Sequence, residues 1–226
     1  MKPPPEKSLD TGPFRKTYTI GEEIANSIIH GIGFGLSVAG LVILVVFAAF
    51  GGDTWRIVSF SIYGSSLISL YLASTLYHSF QGPRVKRVLR IIDHSSIFFL
   101  IAGTYTPFML VSLRGTMGWI IFGVIWGLAL VGIIFKAFFV HKFRILSTLV
   151  YLSMGWLCIM VLPDMLANIP RGGIIFLVIG GAFYSFGIIF YVWRTLPFNH
   201  AVWHIFVLGG SIFHYFAVLL YVLPVT

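Results

Sequence analysis

Five polar residues with the chemistry of a metal or catalytic site interrupt the long apolar stretches of this sequence. Ser74 and His78 lie at the end of the second apolar stretch. Asp93 lies near the start of the third, and His200 and His204 lie at the start of the last. Ionisable side chains are rare in membrane-spanning segments and mark functional sites by default. We therefore treat these five residues as a candidate site.

The spacing of these residues fits a metal centre. His200 and His204 are four residues apart, about 40° apart around a helix and one turn along it, so both imidazoles can bind one ion. Ser74 and His78 have the same spacing, which places the hydroxyl on the face of the histidine. Three histidines and a water form the catalytic type of zinc site. Asp93 would then accept a hydrogen bond from that water and act as general base, and Ser74 would orient the water or a histidine.

A simpler interpretation remains open for each histidine alone. A lone histidine in a membrane helix often only forms hydrogen bonds between helices, and an H-x-x-x-H pair also arises by chance. Three histidines that reach one depth of the membrane are harder to explain in this way. The joint placement therefore favours a zinc site with ligands His78, His200 and His204.

The composition indicates the elements that must position this site. The chain has 226 residues, of which 58% are hydrophobic and 10% charged, with a mean hydropathy of +0.95. Soluble domains are about 25% charged, and a membrane-spanning helix needs about 20 apolar residues. Seven such stretches follow one another: about Ile24–Phe50, Ile57–Phe80, Leu89–Leu113, Gly118–Val140, Leu146–Leu166, Gly173–Trp193 and Ala201–Leu223. We predict an all-α bundle of seven transmembrane helices, with a tail over residues 1–22 and a single domain over 23–226.

The distribution of Lys and Arg predicts the orientation of the bundle. Twelve of the fifteen lie in the tail and in the connections on one side, including Arg84, Lys86, Arg87 and Arg90 in a predicted loop and Lys136 beside another. Because basic loops stay in the cytoplasm, we predict a cytoplasmic N-terminus and an external C-terminus. The candidate site then lies at the cytoplasmic end. The sequence pI of about 9.8 reflects this topology. Nucleic-acid binding is not expected, because no basic surface domain remains.

Further polar residues could assist the site. Glu23, Asn26 and His30 share one face of the first stretch, at positions i, i+3 and i+7, and we expect that face to pack inward near the metal. They could gate the site or support its ligands, although helix capping and bonding between helices are the simpler roles. His214 lies about 15 Å along the helix from His204, too far to bind the same ion, and is expected to form core hydrogen bonds or line a cavity.

Three other residues are expected to play no part. His94 is turned about 100° from Asp93, so it should not share the face of that residue. His141, in a basic turn, is expected to be solvated. Cys158, the single cysteine, is expected to be a packing residue because it has no intrachain disulfide partner.

The motifs around these residues resemble the hemolysin III family, the bacterial branch of the progestin and adipoQ receptor superfamily, which includes the adiponectin receptors. The resemblance covers the whole transmembrane region and rests on EEIANSIIHGIG, ASTLYHSF, DHSSIFFLIAGTYTPF and NHAVWHIFVLGGSIFHYFAV. It implies a cytoplasmic N-terminus, the reverse of G-protein-coupled receptors, and a place in the bacterial cytoplasmic membrane. It also implies a zinc centre formed by Ser74, His78, Asp93, His200 and His204.

Three functions are compatible with these features. The first is a zinc-dependent hydrolase of a membrane lipid or lipid-like molecule, such as an amide, which the similarity of the superfamily to membrane ceramidases supports by analogy. The second is a receptor-like sensor of membrane state with a structural zinc. The third is a pore, which we rank last because the outer half offers few polar residues beyond His214, Ser211, Tyr105 and Thr104. No particular oligomeric state is implied.

Overall fold

Seven helices form the bundle in the part of the chain that the structure describes. The computed structural model describes residues 18–51, 53–140 and 142–224, so residues 1–17 of the expected tail lie outside the described residues. All seven are long and apolar enough to cross a membrane, which confirms the predicted fold class. They are α1 (Ile20–Phe50), α2 (Thr54–Ser79), α3 (Pro83–Ser112), α4 (Thr116–Phe139), α5 (Arg144–Asn168), α6 (Arg171–Val192) and α7 (Asn199–Tyr221).

The helices close into a bundle in chain order. α1 packs on α2, α2 on α3, α3 on α4, and α6 on α7, while α7 returns to α1. α5 packs more sparsely, against α3 and α6. Because successive helices alternate in direction, the end of α2 and the starts of α1, α3 and α7 all meet at one end of the bundle. The following paragraphs call this the site end.

The start of α3 differs from the prediction. We expected a loop containing Arg84, Lys86, Arg87 and Arg90, but the helix already begins at Pro83. Proline is favoured in the first turn of a helix, where its missing N–H has no intrahelical acceptor to bond. The basic residues therefore occupy the first two turns of α3, and the expectation of a loop was wrong.

Lys136 also differs from its predicted place. We counted it beside the connection between the fourth and fifth helices, but it lies within α4 and is only 1% exposed. Lysine can bury its four-carbon stem along apolar surface, so a position one turn from the helix end does not guarantee exposure. The other basic residues keep the charge bias on the same side, and the predicted orientation stays a prediction.

Two helices contain irregular turns. A π-helical turn, Phe108–Ser112, ends α3 directly after Pro107. In α5 a 3₁₀ segment, Trp156–Val161, separates two α-helical parts. Pro163 follows this segment and has no backbone N–H, which removes one helical hydrogen bond. The Tyr105 hydroxyl accepts a bond from the Cys158 N–H (2.9 Å) and also lies 2.9 Å from two carbonyl oxygens at the break.

Candidate metal centre

Local structure at the start of α1 sets the position of its inward face. The Thr19 hydroxyl accepts a hydrogen bond from the Glu22 N–H (3.2 Å), while the Glu22 carboxylate accepts one from the Thr19 N–H (2.9 Å). This capping box fixes where the helix begins. Glu23, Asn26 and His30 consequently point into the bundle, and all three are buried.

Glu22 of this capping box also connects α1 to α7. The backbone N–H of Phe198 donates a hydrogen bond to Glu22 Oε1 (3.2 Å). Phe198 has φ 54°, a left-handed conformation that is unusual for a bulky residue. Asn199 donates to the Phe190 carbonyl (3.0 Å) and so ties the start of α7 to α6. These bonds fix the register of α7 immediately before His200.

Three histidines come together at the site end. His78, His200 and His204 each offer one ring nitrogen, and these atoms all lie within 4.8 Å of one another. The side chains are buried, with exposed fractions of 1%, 7% and 1%. Histidine nitrogens at such separations can hold a metal ion. The three residues come from two helices separated by more than 120 positions in the sequence.

His78 is oriented by partners on α1. Its Nδ1 lies 2.6 Å from Glu23 Oε2 and 3.4 Å from the Asn26 side-chain nitrogen. We assign the Nδ1 proton to the shorter bond, so that Nδ1–H donates to the carboxylate. The Nε2 atom is then an acceptor, and it is buried without a hydrogen-bond partner among the described residues. The other oxygen of Glu23 accepts a bond from Lys86 of α3.

His204 has a similar arrangement. Its Nδ1 lies 3.4 Å from the Asn26 carbonyl oxygen, which can only accept, so the ring nitrogen is the donor. The His30 ring stacks on the His204 ring at a centroid distance of 3.6 Å. Metal-bound histidines usually donate their second N–H to a carboxylate or carbonyl, which fixes the ring and raises its basicity. Glu23 and Asn26 supply such acceptors here.

Ser74 and Asp93 lie outside the histidine cluster. Ser74 is buried, and its hydroxyl has no hydrogen-bond partner among the described residues. Asp93 lines a cavity beside the cluster, and its Oδ2 lies 3.1 Å from Nδ1 of His94. His94 was not expected to share the face of Asp93, but the two side chains are in contact and line the same cavity.

The cavity extends from the site end into the bundle between α3, α5, α6 and α7. The cavity has a volume of about 200 Å³. Its polar end is formed by residues such as Asp93, Lys136, Tyr151 and His200, and its wall continues with Leu100, Ile101, Phe108 and Met109. His214 lines the cavity far from the cluster, and its Nε2 lies 3.2 Å from the Leu177 carbonyl oxygen. A long, mainly apolar cavity of this kind can accept a hydrocarbon chain.

Two features of this region were missed from the sequence. Lys136 was counted with a connection, although it lines the cavity. The Tyr71 hydroxyl donates to Ser211 Oγ (2.7 Å), which lies 2.8 Å from the Tyr184 hydroxyl. Tyr71 precedes His78 by seven residues, and Ser211 follows His204 by seven. Seven residues are two helical turns, so this spacing was a signal that Tyr71 and Ser211 share the inward faces of the histidines.

His141 lies outside the described residues.

Fold and site define a multi-pass membrane protein with seven helices and a buried histidine cluster. The family described as "Haemolysin-III related" matches residues 18–215, and the chain belongs to this family. It is 53% identical over 208 residues to "Hemolysin-3 homolog" of Bacillus subtilis (strain 168), covering 92% of this chain and 98% of the relative.

Two further relatives extend the comparison. "Hemolysin-3" of Bacillus cereus is 51% identical over 210 residues, which cover 93% of this chain and 96% of the relative. "Monocyte to macrophage differentiation factor" of Homo sapiens is 28% identical over 206 residues, which cover 88% of this chain and 84% of the relative. The expected resemblance to the hemolysin III family is confirmed, and the human relative supports membership of the wider superfamily.

Proposed function

We propose that this protein is a zinc-dependent hydrolase of a lipid-like amide in the bacterial cytoplasmic membrane. The observation that carries the proposal is the convergence of three buried imidazoles beside the polar end of an apolar cavity. Such a site places a polar head group next to the metal while the hydrocarbon tail occupies the cavity. The bias of basic connections supports a position of this site near the cytoplasmic surface.

The donor set supports zinc. Imidazole suits zinc, although copper, iron and nickel also accept it. A catalytic zinc site has three protein ligands and one open position. The buried Nε2 atom of His78, without a hydrogen-bond partner among the described residues, is the type of atom that a metal would satisfy. The acceptors Glu23 and Asn26 behind the rings favour the same assignment.

The residues around the metal can perform the remaining steps. A zinc ion held by His78, His200 and His204 would lower the pKa of a bound water and polarise a carbonyl oxygen. Asp93 lines the same cavity as His200, and its carboxylate would take up the proton that the attacking water loses and return it to the leaving nitrogen. Nδ1 of His94 lies 3.1 Å from Oδ2 of Asp93, so the imidazole is the nearest described group to this carboxylate oxygen that could assist it. Ser74 would orient the attacking water or a histidine with its hydroxyl.

Incubation of the purified protein with bacterial lipid extract tests the proposal. Mass spectrometry should detect release of a fatty acid and an amine by the zinc-loaded protein, and a His78→Ala variant should release neither. An unchanged extract with fully zinc-loaded protein would contradict the hydrolase. That result would instead support the second candidate, a membrane sensor in which zinc connects α2 and α7.

A pore stays the least supported candidate. The cavity wall is apolar at Leu100, Ile101, Phe108 and Met109. The hydroxyls of Tyr71, Ser211 and Tyr184 form only a short polar chain. Release of a trapped dye from vesicles that contain the purified protein would contradict this ranking.

A further inference from the structure

The end of the bundle opposite the site end has few basic residues, and two of them share one pocket. Among the described residues, the arginines at that end are Arg56, Arg114 and Arg171, and no lysine lies there. Arg56 and Arg114 line a pocket of about 340 Å³ between the start of α2 and the connection from α3 to α4. The pocket is formed by Asp53, Trp55, Arg56, Val111, Ser112 and Arg114. Positive charge at this end is therefore concentrated in one place.

Arg56 is held in a fixed orientation beside the pocket. Its Nε–H donates a hydrogen bond to the Val222 carbonyl oxygen (3.1 Å), and its Nη2 donates to the Pro224 carbonyl oxygen (3.5 Å). Its Nη1 contacts the Asp53 carboxylate. A guanidinium has five N–H donors, so these three bonds leave two donors of Arg56 without an acceptor among the described residues.

Arg114 is exposed and has a different environment. Its Cζ lies 5.5 Å from the centre of the Trp55 ring, a cation–π contact that places the guanidinium over the indole. None of the described residues accepts a hydrogen bond from this guanidinium. The N–H groups of arginine form a planar fork that matches the oxygens of a phosphate or carboxylate. An anionic group with several acceptor oxygens would therefore satisfy donors of both arginines.

The charges of the pocket indicate the charge of its ligand. Two arginines and one aspartate leave a net charge of +1. Both oxygens of Asp53 are already engaged, because Oδ1 accepts a hydrogen bond from the Trp55 N–H (2.9 Å) and Oδ2 contacts Arg56. The pocket thus favours a singly charged anion, and it has no unengaged carboxylate oxygen for an ammonium group.

The surroundings of the pocket indicate a lipid as the source of this anion. Trp55 and Trp119 are 37% and 47% exposed, and their rings are in contact at a centroid distance of 5.7 Å. Tryptophan is enriched at the level of the lipid head groups. About one turn further along α2 and α4, Val58 and Ile120 are also exposed. The pocket therefore has an apolar surface beside it on which acyl chains can lie.

We propose that this pocket binds the phosphodiester of an anionic phospholipid whose head group carries no ammonium, as in phosphatidylglycerol. Arg56 and Arg114 donate to the phosphate oxygens, and the acyl chains lie along Val58 and Ile120. Phosphatidylethanolamine has the same phosphodiester, but its ammonium adds a positive charge that the pocket does not match. The pocket lies at the opposite end of the bundle from the histidine cluster, so this inference is independent of the proposed hydrolase.

Two lipids with identical acyl chains test the inference. Native mass spectrometry of the full-length protein in neutral detergent measures the affinities for phosphatidylglycerol and phosphatidylethanolamine. We expect the wild type to bind phosphatidylglycerol more tightly. Arg114→Gln should weaken this binding by about 5-fold, the usual contribution of one basic residue to attraction by anionic lipid. The control Arg171→Gln removes a charge at the same end but outside the pocket, and it should keep the wild-type affinity.

Arg114→Gln should keep the wild-type melting temperature, because Arg114 is exposed, whereas Arg56 also holds the end of α7. If Arg114→Gln does not accumulate, Arg114→Lys is measured in the same way. It should also bind phosphatidylglycerol more weakly than the wild type, because an ammonium lacks the planar fork.

Equal affinities of the wild type for the two lipids would overturn the inference. Equal losses in Arg114→Gln and Arg171→Gln would do so as well, because they would indicate general attraction by positive charge. Inorganic phosphate distinguishes the source of the anion. We expect millimolar phosphate to leave phosphatidylglycerol bound, and complete displacement would show that the pocket takes a free anion instead of a lipid.

Discussion

Glu23 Oε2 lies 2.6 Å from Nδ1 of His78, so a carboxylate of α1 holds the ring of a histidine on α2. The second oxygen of this carboxylate contacts Lys86 on α3. One glutamate therefore connects three helices at the point where the proposed metal would be bound. Acceptors of this kind orient the ring and raise its basicity toward a metal.

Replacement of this glutamate tests the connection. Glu23→Gln keeps the size of the side chain but removes the charge, and zinc affinity should fall by about 10–100-fold. Competition with a fluorescent zinc chelator provides the measurement. The control Arg87→Gln, on the exposed side of α3, should keep the wild-type affinity. An unaltered affinity in Glu23→Gln would show that the carboxylate does not support the metal.

We predict one zinc ion per chain. The ligand atoms of the three histidines lie within 4.8 Å of one another, which defines a single site. Elemental analysis of protein prepared without chelators should give one equivalent of zinc. The double variant His200→Ala, His204→Ala should bind none. Ser74→Ala should only weaken binding, because loss of a supporting group costs about 10–100-fold in affinity. Wild-type protein without zinc would refute the metal assignment.

Asp93→Asn separates catalysis from structure. The variant keeps an acceptor but loses the base, so activity should fall by about 10²-fold or more while zinc content and melting temperature stay near wild type. A zinc with a purely structural role would leave biological activity nearly intact. An aspartate needed mainly for its contact with His94 would instead lower the folded yield. Wild-type activity with wild-type zinc would exclude Asp93 as the base.

The predicted orientation can be tested with a reporter. Basic connections cluster at the site end, so the C-terminus should be external. An alkaline phosphatase fused after Thr226 should be active, since this enzyme folds outside the cytoplasm. The matched fusion of a fluorescent protein that matures only in the cytoplasm should remain dark. The opposite pair of results would show that the orientation is the reverse of the predicted one and that the histidine cluster lies at the external face.

Two glycines of α4 provide a matched test of packing. A Cβ at Gly118 would lie 2.3 Å from the Leu113 carbonyl oxygen, which is backbone and cannot move aside cheaply. A Cβ at Gly123 would meet no atom within 4 Å. Gly118→Ala should cost about 1–3 kcal/mol of stability, whereas Gly123→Ala should be neutral or slightly stabilising. Thermal unfolding in detergent measures both. Equal melting temperatures of the two variants would contradict the close approach of Gly118 to the Leu113 backbone.

Hydropathy alone predicted the seven helices, because each must bury its backbone polar groups within one apolar stretch. The start of α3, which lies near the site, was not predictable from hydropathy. Arg84 and Lys86 are polar enough for a loop, yet Pro83 starts a helix there. Lys136 was misplaced because hydropathy does not distinguish a buried ammonium group from a solvated one.

The candidate site was predicted in part. Spacing and direction placed His78, His200 and His204 at one depth, and the structure brings their nitrogens together. Spacing did not reveal that Asn26 contacts both His78 and His204, because contacts between helices depend on their rotation in the bundle. Nor did it reveal the contact of Asp93 with His94, because the directions of Cα–Cβ bonds do not fix where flexible side chains end.

The separation of the ligands along the chain has a consequence for biosynthesis. His78 leaves the ribosome more than 120 residues before His200. At a synthesis rate of about 5–20 residues per second, the first ligand precedes the other two by roughly 6 to 25 s. During this interval α1 and α2 can already form the bond between Glu23 and His78, but only one of the three ligands is present. Stable binding of the proposed metal ion would therefore be a late event, possible only after the last helix has been inserted and docked.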